Sequence, residues 1–141
     1  MPRPISSEQP LAAIARATKT GGNSIAKKEE AFGLAMRNFL DVFYATTKTR
    51  RARLLAEEPE MLRPVLKDGG VADAYLAALA NYLASQFKIK PPLWAHTAHR
   101  LPDKPWFALS HPDARVWLIT QSPAAFRERN LFISADALTR A

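Results

Sequence analysis

Cysteine is absent from the 141-residue sequence, so disulfides and thiolate metal sites are unavailable and packing alone must hold the fold. Glycine is scarce, at five residues. No glycine-rich phosphate loop, G-x-G-x-x-G fingerprint or G-x-S-x-G elbow occurs, which leaves neither a backbone cradle for nucleotides nor a hydrolase nucleophile. Nowhere do about eighteen apolar residues follow one another. Arg3 near the N-terminus has no apolar run behind it, so no membrane span and no signal peptide is expected, and the cytoplasm is the default compartment. Acid is in deficit as well: 13 Asp and Glu stand against 20 Lys and Arg. The resulting formal charge of +7 and pI near 10.1 favour an anionic partner, either nucleic acid or an acidic protein surface.

What is present suits a folded chain. Hydrophobic residues make up 48 % and charged residues 23 %, close to the globular average and outside the disordered class. The length fits a single helical domain over residues 1–141, residues 1–6 being loose. Ser7 is positioned to cap a short helix with Glu8 in its first turn and Leu11, Ile14 and Ala15 on one side, and Gly21-Gly22-Asn23 ends it. Ser24 caps a longer helix whose apolar residues, Ile25, Phe32, Met36, Phe39, Leu40 and Phe43, recur three, four or seven apart. Two adjacent β-branched threonines, Thr46 and Thr47, interrupt it, and the following basic stretch with Leu54 and Leu55 predicts a separate turn or two. Pro59 can open a further helix carrying Met61, Leu62, Val65 and Leu66, with Pro64 bending or ending it. Gly69-Gly70 reads as punctuation before a helix carrying Ala72, Leu76, Leu79, Leu83 and Phe87.

Pro91-Pro92 stops that helix. The segment to Pro112 has no sustained period but carries Leu93, Trp94, Leu101, Trp106 and Phe107, too much apolar surface for a linker, so it should wrap back over the core. Residues Val116 to Thr120 suit either a buried helical turn or a short strand. Ser122-Pro123 opens a helix that Asn130 can end in the left-handed conformation. Leu131 to Ile133 is extended, and Ser134 caps a last short helix with Asp136 in its first turn. The expected fold is mainly α: a compact bundle of about five to six helices, with a Pro/Trp-rich crossing segment and room for two very short strands near the C-terminus.

Little of the chain's chemistry points to catalysis. His96 and His99 are three residues apart, but zinc needs a third protein ligand and no H-E-x-x-H pattern supplies it. The bland reading places both on a surface turn between Trp94 and Arg100. Glu29-Glu30 and Glu57-Glu58 are adjacent pairs, which cannot converge from a helix. The expectation is therefore a protein that is not an enzyme and uses no metal or cofactor. Nucleic-acid binding needs only well-placed cations, and Lys48, Arg50, Arg51 and Arg53 form a run with no acid between Asp41 and Glu57. Lys88, Lys90, Arg100 and Lys104 make a second basic stretch opposed only by Asp103. Either run also reads as a solvated face. From Leu11 to Ala31 the helix, Gly-Gly turn and helix superficially form a helix-turn-helix, but the second helix is longer than a recognition helix needs and spends its stripe on the core.

From Phe39 onward the chain carries F-L-D-V-F-Y, R-A-R-L-L-A-E-E-P, Y-L-A-A-L-A-N-Y-L-A, P-P-L-W and P-W-F, and it closes with S-P-A-A-F-R-E-R-N-L-F-I-S-A-D-A-L-T-R-A. This order resembles a family of small bacterial antitoxin-like proteins ending in an S-P-x-x-F-R block followed by Arg-Asn, an aromatic and small residues. The terminal block is the specific part of a resemblance that covers about the last hundred residues. Members of that family tend to be encoded beside a nucleotidyltransferase-like protein, in pairs that look like toxin-antitoxin modules, and some begin with a DNA-binding helix-turn-helix. The resemblance implies a non-enzymatic component that holds a cognate protein, a nucleotidyltransferase-like toxin being the candidate, with transcriptional regulation through a basic patch as the alternative. In the terminal block Phe126, Arg127, Arg129, Phe132 and Arg140 combine aromatics with arginines, the composition of a protein-protein hot spot. The competing reading has Phe126, Leu131, Phe132 and Ile133 fastening the C-terminus to the core.

Overall fold

Ser24 begins the longest helix as its spacing requires: its hydroxyl accepts the Lys27 N–H at 3.2 Å, satisfying one orphan donor of the first turn. In the computed structural model, which describes residues 9–109 and 111–139, this helix is α2, Ile25–Ala45, and it buries Met36, Phe39, Leu40 and Phe43. Ile25, expected on the same stripe, stays half exposed. Helix α1, Ala12–Lys19, lies against α2 through Ile14 and Ala15. Its expected cap at Ser7 and Glu8 lies outside the described residues. The threonine pair separates α2 from α3, Lys48–Ala56. Arg51 of α3 reaches back, donating from Nε to the Phe43 carbonyl at 3.1 Å and from Nη2 to that of Tyr44 at 2.9 Å, and so closes the carbonyl end of α2.

The expected helix after Pro59 is not formed; residues 57–68 are turns and extended chain. Gly69-Gly70, read as a break, instead opens α4, Gly69–Gln86. The reason is tertiary: a Cβ on Gly69 would lie 2.2 Å from both Arg63 Cα and the Leu62 carbonyl oxygen, so only glycine lets the helix start there. Asp73 completes the junction, its buried carboxylate accepting the N–H groups of Leu62 at 2.6 Å and Arg63 at 3.0 Å. Helix α4 is buried nearly all round, and Leu76, Leu79 and Leu83, each fully enclosed, contribute about 1.5–3 kcal/mol apiece by leaving water.

The crossing segment wraps over this core as expected. A 3-10 turn, Leu93–His96, buries Trp94, whose Nε1 donates to the Leu55 carbonyl at 2.9 Å, while Leu93 is 84 % exposed. Strand β1, Trp106–Phe107, pairs in parallel with β2, Leu131–Phe132, in the register Trp106 to Leu131 and Phe107 to Phe132. Between them come α5, Pro112–Gln121, and α6, Ala124–Arg127. Asn130 adopts the left-handed conformation (φ 60°) just before β2. A final 3-10 turn, Ala135–Leu138, is capped by Ser134. The arrangement is the mainly helical one expected, with one hydrophobic cluster that runs from Leu11 to Leu138. Among the described residues no helix is long and apolar enough to cross a membrane.

Candidate partner-binding surface

Val116-Trp117-Leu118-Ile119 settles as helix, not strand, and a helix cannot turn four consecutive side chains to one side. Only Leu118 points inward, at 1 % exposure, whereas Val116 is 66 % exposed and Trp117 and Ile119 are each 47 % exposed. Of the two expectations, buried helical turn or short strand, the helix forms but its burial is corrected: α5 is an outer helix that leaves Val116, Trp117 and Ile119 in solvent. Leu109, 53 % exposed, precedes it. Each of these four large apolar residues is about half uncovered or more, so that together they leave on the order of 400 Å² in contact with water.

The helix is firmly mounted. The imidazole Nδ1 of His111 accepts the Asp113 N–H at 3.2 Å, and Pro112 occupies the first turn, where no donor is lost. At the other end the buried Ser122 hydroxyl accepts the Ile133 N–H at 2.8 Å and lies within donating distance of the Leu118 and Ile133 carbonyls. Beside α5, Phe107 and Phe132 stack with centroids 4.7 Å apart, and the exposed Arg115 holds its guanidinium 5.1 Å from the Phe107 ring. Arg115 is thus a surface residue that the sequence did not mark, and Val116, Trp117 and Ile119 are surface residues that it placed inside. The signal available was the four-residue apolar run itself, too continuous for one helix face.

The five C-terminal residues expected at a partner surface divide. Phe132 is half-buried in the stack next to α5, and Arg127 is exposed on α6. Phe126 is fully buried, edge-on to Tyr75 at 5.0 Å and Tyr82 at 6.3 Å, so it fastens α6 to α4 and cannot touch a partner. Arg129 is 8 % exposed: its Nη1 donates to the Thr97 and Arg100 carbonyls, both at 2.8 Å, and its Nη2 to that of Ala95. Burial, reinforced by the positive charge of Arg100, pushes its pKa below the ordinary arginine value. It ties the crossing segment to the C-terminal block and is not a surface anchor. Arg140 lies outside the described residues.

The basic stretches divide in the same way. Lys48, Arg50 and Arg53 are exposed on α3, but Arg51 is turned inward with its guanidinium 4.0 Å from the Phe87 ring centre. Arg100, expected in the second basic stretch, is fully buried; it donates to Glu58 Oε2 at 3.2 Å and to the Pro59 carbonyl, and lies 5.1 Å from the Trp94 ring. His96 and His99 are exposed, with His99 Nε2 3.9 Å from Glu58. Among the described residues no three His, Asp or Glu side chains come together as a metal site. No family model, curated protein or solved structure matches the chain.

Proposed function

We propose that this chain is a non-enzymatic, antitoxin-like binding protein that holds a cognate protein partner against α5. The observation that carries this reading is the outward apolar run of α5, mounted rigidly by Ser122 and flanked by Arg115 and the Phe107–Phe132 stack. Tryptophan and arginine around a fixed apolar helix are the residue types that dominate binding energy at protein interfaces. The resemblance of the C-terminal block names a nucleotidyltransferase-like toxin as the kind of partner. The test is co-expression with the product of the adjacent gene. Val116→Ser, Trp117→Gln and Ile119→Ser together should abolish co-purification and relief of toxicity, while the melting curve stays close to wild type because these positions are exposed. Absence of association with the wild-type chain, or undiminished capture by the triple variant, removes the proposal.

A second reading, nucleic-acid-binding regulation, is favoured by the three exposed cations Lys48, Arg50 and Arg53 on a helix with no acid. It requires duplex binding that weakens steeply with salt. Binding unchanged by alanine at all three positions would end it.

A further inference from the structure

Between α2 and the first half of α4 lies a groove of about 620 Å³, lined also by Trp106 and by Asp136 and Ala137 of the last 3-10 turn. Phe32, Met36, Leu40, Val71, Tyr75 and Trp106 make its floor and walls apolar. On α2 it extends from Glu29 to Leu40, about 16 Å at 1.5 Å per residue, or three helical turns. The groove is an open trough. A small ligand in it would leave much of its own surface wet, whereas a helix laid along it would be held on both sides.

Gly33 lies in the wall of this trough, in the interior of α2. Glycine there disfavours the helix relative to alanine, and nothing in the fold demands it. A Cβ added at Gly33 would meet only the end of Arg37, at 3.5 Å, whereas at each of the other four glycines it would come within 3.0 Å of a neighbouring atom. Gly33 is the position at which an external backbone can come closest to α2.

The rim has a charge sign opposite to that of the whole protein. Glu29, Asp68 and Asp136 line the groove against the single cation Arg37. None of the three carboxylates forms an ion pair among the described residues, and Asp68 does not use its side chain to cap α4. Tyr75 adds a phenol whose hydroxyl makes no hydrogen bond to the described residues; burial pushes its pKa up to about 12, so it remains a donor at any physiological pH.

We infer that this groove takes an amphipathic, basic helix of a partner protein, with its apolar side down between α2 and α4 over Gly33 and its lysines or arginines toward Glu29, Asp68 and Asp136. The inference rests on the reading of the chain as a protein-holding module but uses a surface distinct from α5, so the two can fail separately.

The probe is a labelled synthetic helix of about fifteen residues with leucines at i, i+3, i+4 and i+7 and lysines on the flanks, followed by fluorescence anisotropy. The full-length chain should bind it saturably, and more weakly as salt rises. Gly33→Leu should lower affinity by at least about tenfold by filling the trough, while Gly33→Ala melts no lower than wild type. Should Gly33→Leu also disturb the fold, Glu29→Lys with Asp136→Lys gives the same reading through charge alone. A peptide with glutamates in place of the lysines should not bind, and the α5 triple variant should bind the basic peptide as wild type does. Lack of saturable binding, binding untouched by both groove variants, or equal binding of the acidic peptide would each overturn the inference.

Discussion

Arg127 and Arg129 stand two positions apart and look interchangeable in the sequence, yet replacing each by methionine should have very different consequences. Arg129 donates to three main-chain carbonyls of the crossing segment, two of them at 2.8 Å. Hydrogen bonds from a charged donor are worth about 1.5–3 kcal/mol each, and losing one partner leaves the other stranded in the interior. Three do not add fully, and removing a desolvated charge returns part of the cost. The methionine stem also keeps some of the arginine's packing. A net loss of about 3 kcal/mol follows for Arg129→Met. For 141 residues the entropy of unfolding is roughly 0.3 kcal/mol per kelvin, so Tm should fall by about 10 °C. Arg127, exposed on α6, should change Tm by less than about 2 °C. Thermal melts by circular dichroism, checked by urea unfolding, measure both. A drop of less than about 3 °C for Arg129→Met, or equal drops for the two variants, would refute the assignment of Arg129 as an internal clamp.

Two further predictions concern buried ionisable groups. Burial pushes the pKa of Asp73 up from 3.8, opposed by the Leu62 amide and the Arg100 charge. A raised folded-state value means that its contribution to stability is fully present below pH 3.8 and is lost as pH rises through the folded value. Asp73→Asn should be less stable than wild type by about 1–3 kcal/mol, because one amide oxygen cannot accept both N–H groups. Urea unfolding across the acid range should show that gap narrowing with rising pH; a widening gap would mean that the amide bonds outweigh burial. Tyr75, raised to about 12, should give a late tyrosinate phase in an alkaline titration, above the ordinary value of 10, and Tyr75→Phe should delete that phase. Its contribution to stability persists below the ordinary value of 10 and fades as pH rises through about 12. A Tyr75→Phe titration that loses an early phase instead would contradict its burial.

Local signals were readable where the chain needs only itself. The Ser24 cap, the α2 stripe from Phe32 to Phe43, the break at Thr46-Thr47, the left-handed Asn130 and the Ser134 cap all involve atoms within a few residues of one another. Gly69-Gly70 misled because the same residue type that breaks a chain also allows close approach, and the approaching atoms, from Leu62 and Arg63, are placed by the turn that Asp73 holds. The arginines misled for a related reason. Arg51, Arg100 and Arg129 find their acceptors seven or eight, 27 to 42, and 29 to 34 residues away, so nothing adjacent distinguishes them from solvated Arg53 or Arg127.

The amino-acid sequence on its own determined a mainly helical, cysteine-free, basic chain and the bounds of α2, because period and capping are short-range effects. Only the tertiary structure decided which cations are spent inside, that α5 turns Val116, Trp117 and Ile119 outward, and that α2 and α4 leave an acid-rimmed trough over Gly33. Those outcomes depend on which helix covers which face, and that is set by the packing of the whole core and not by any one segment.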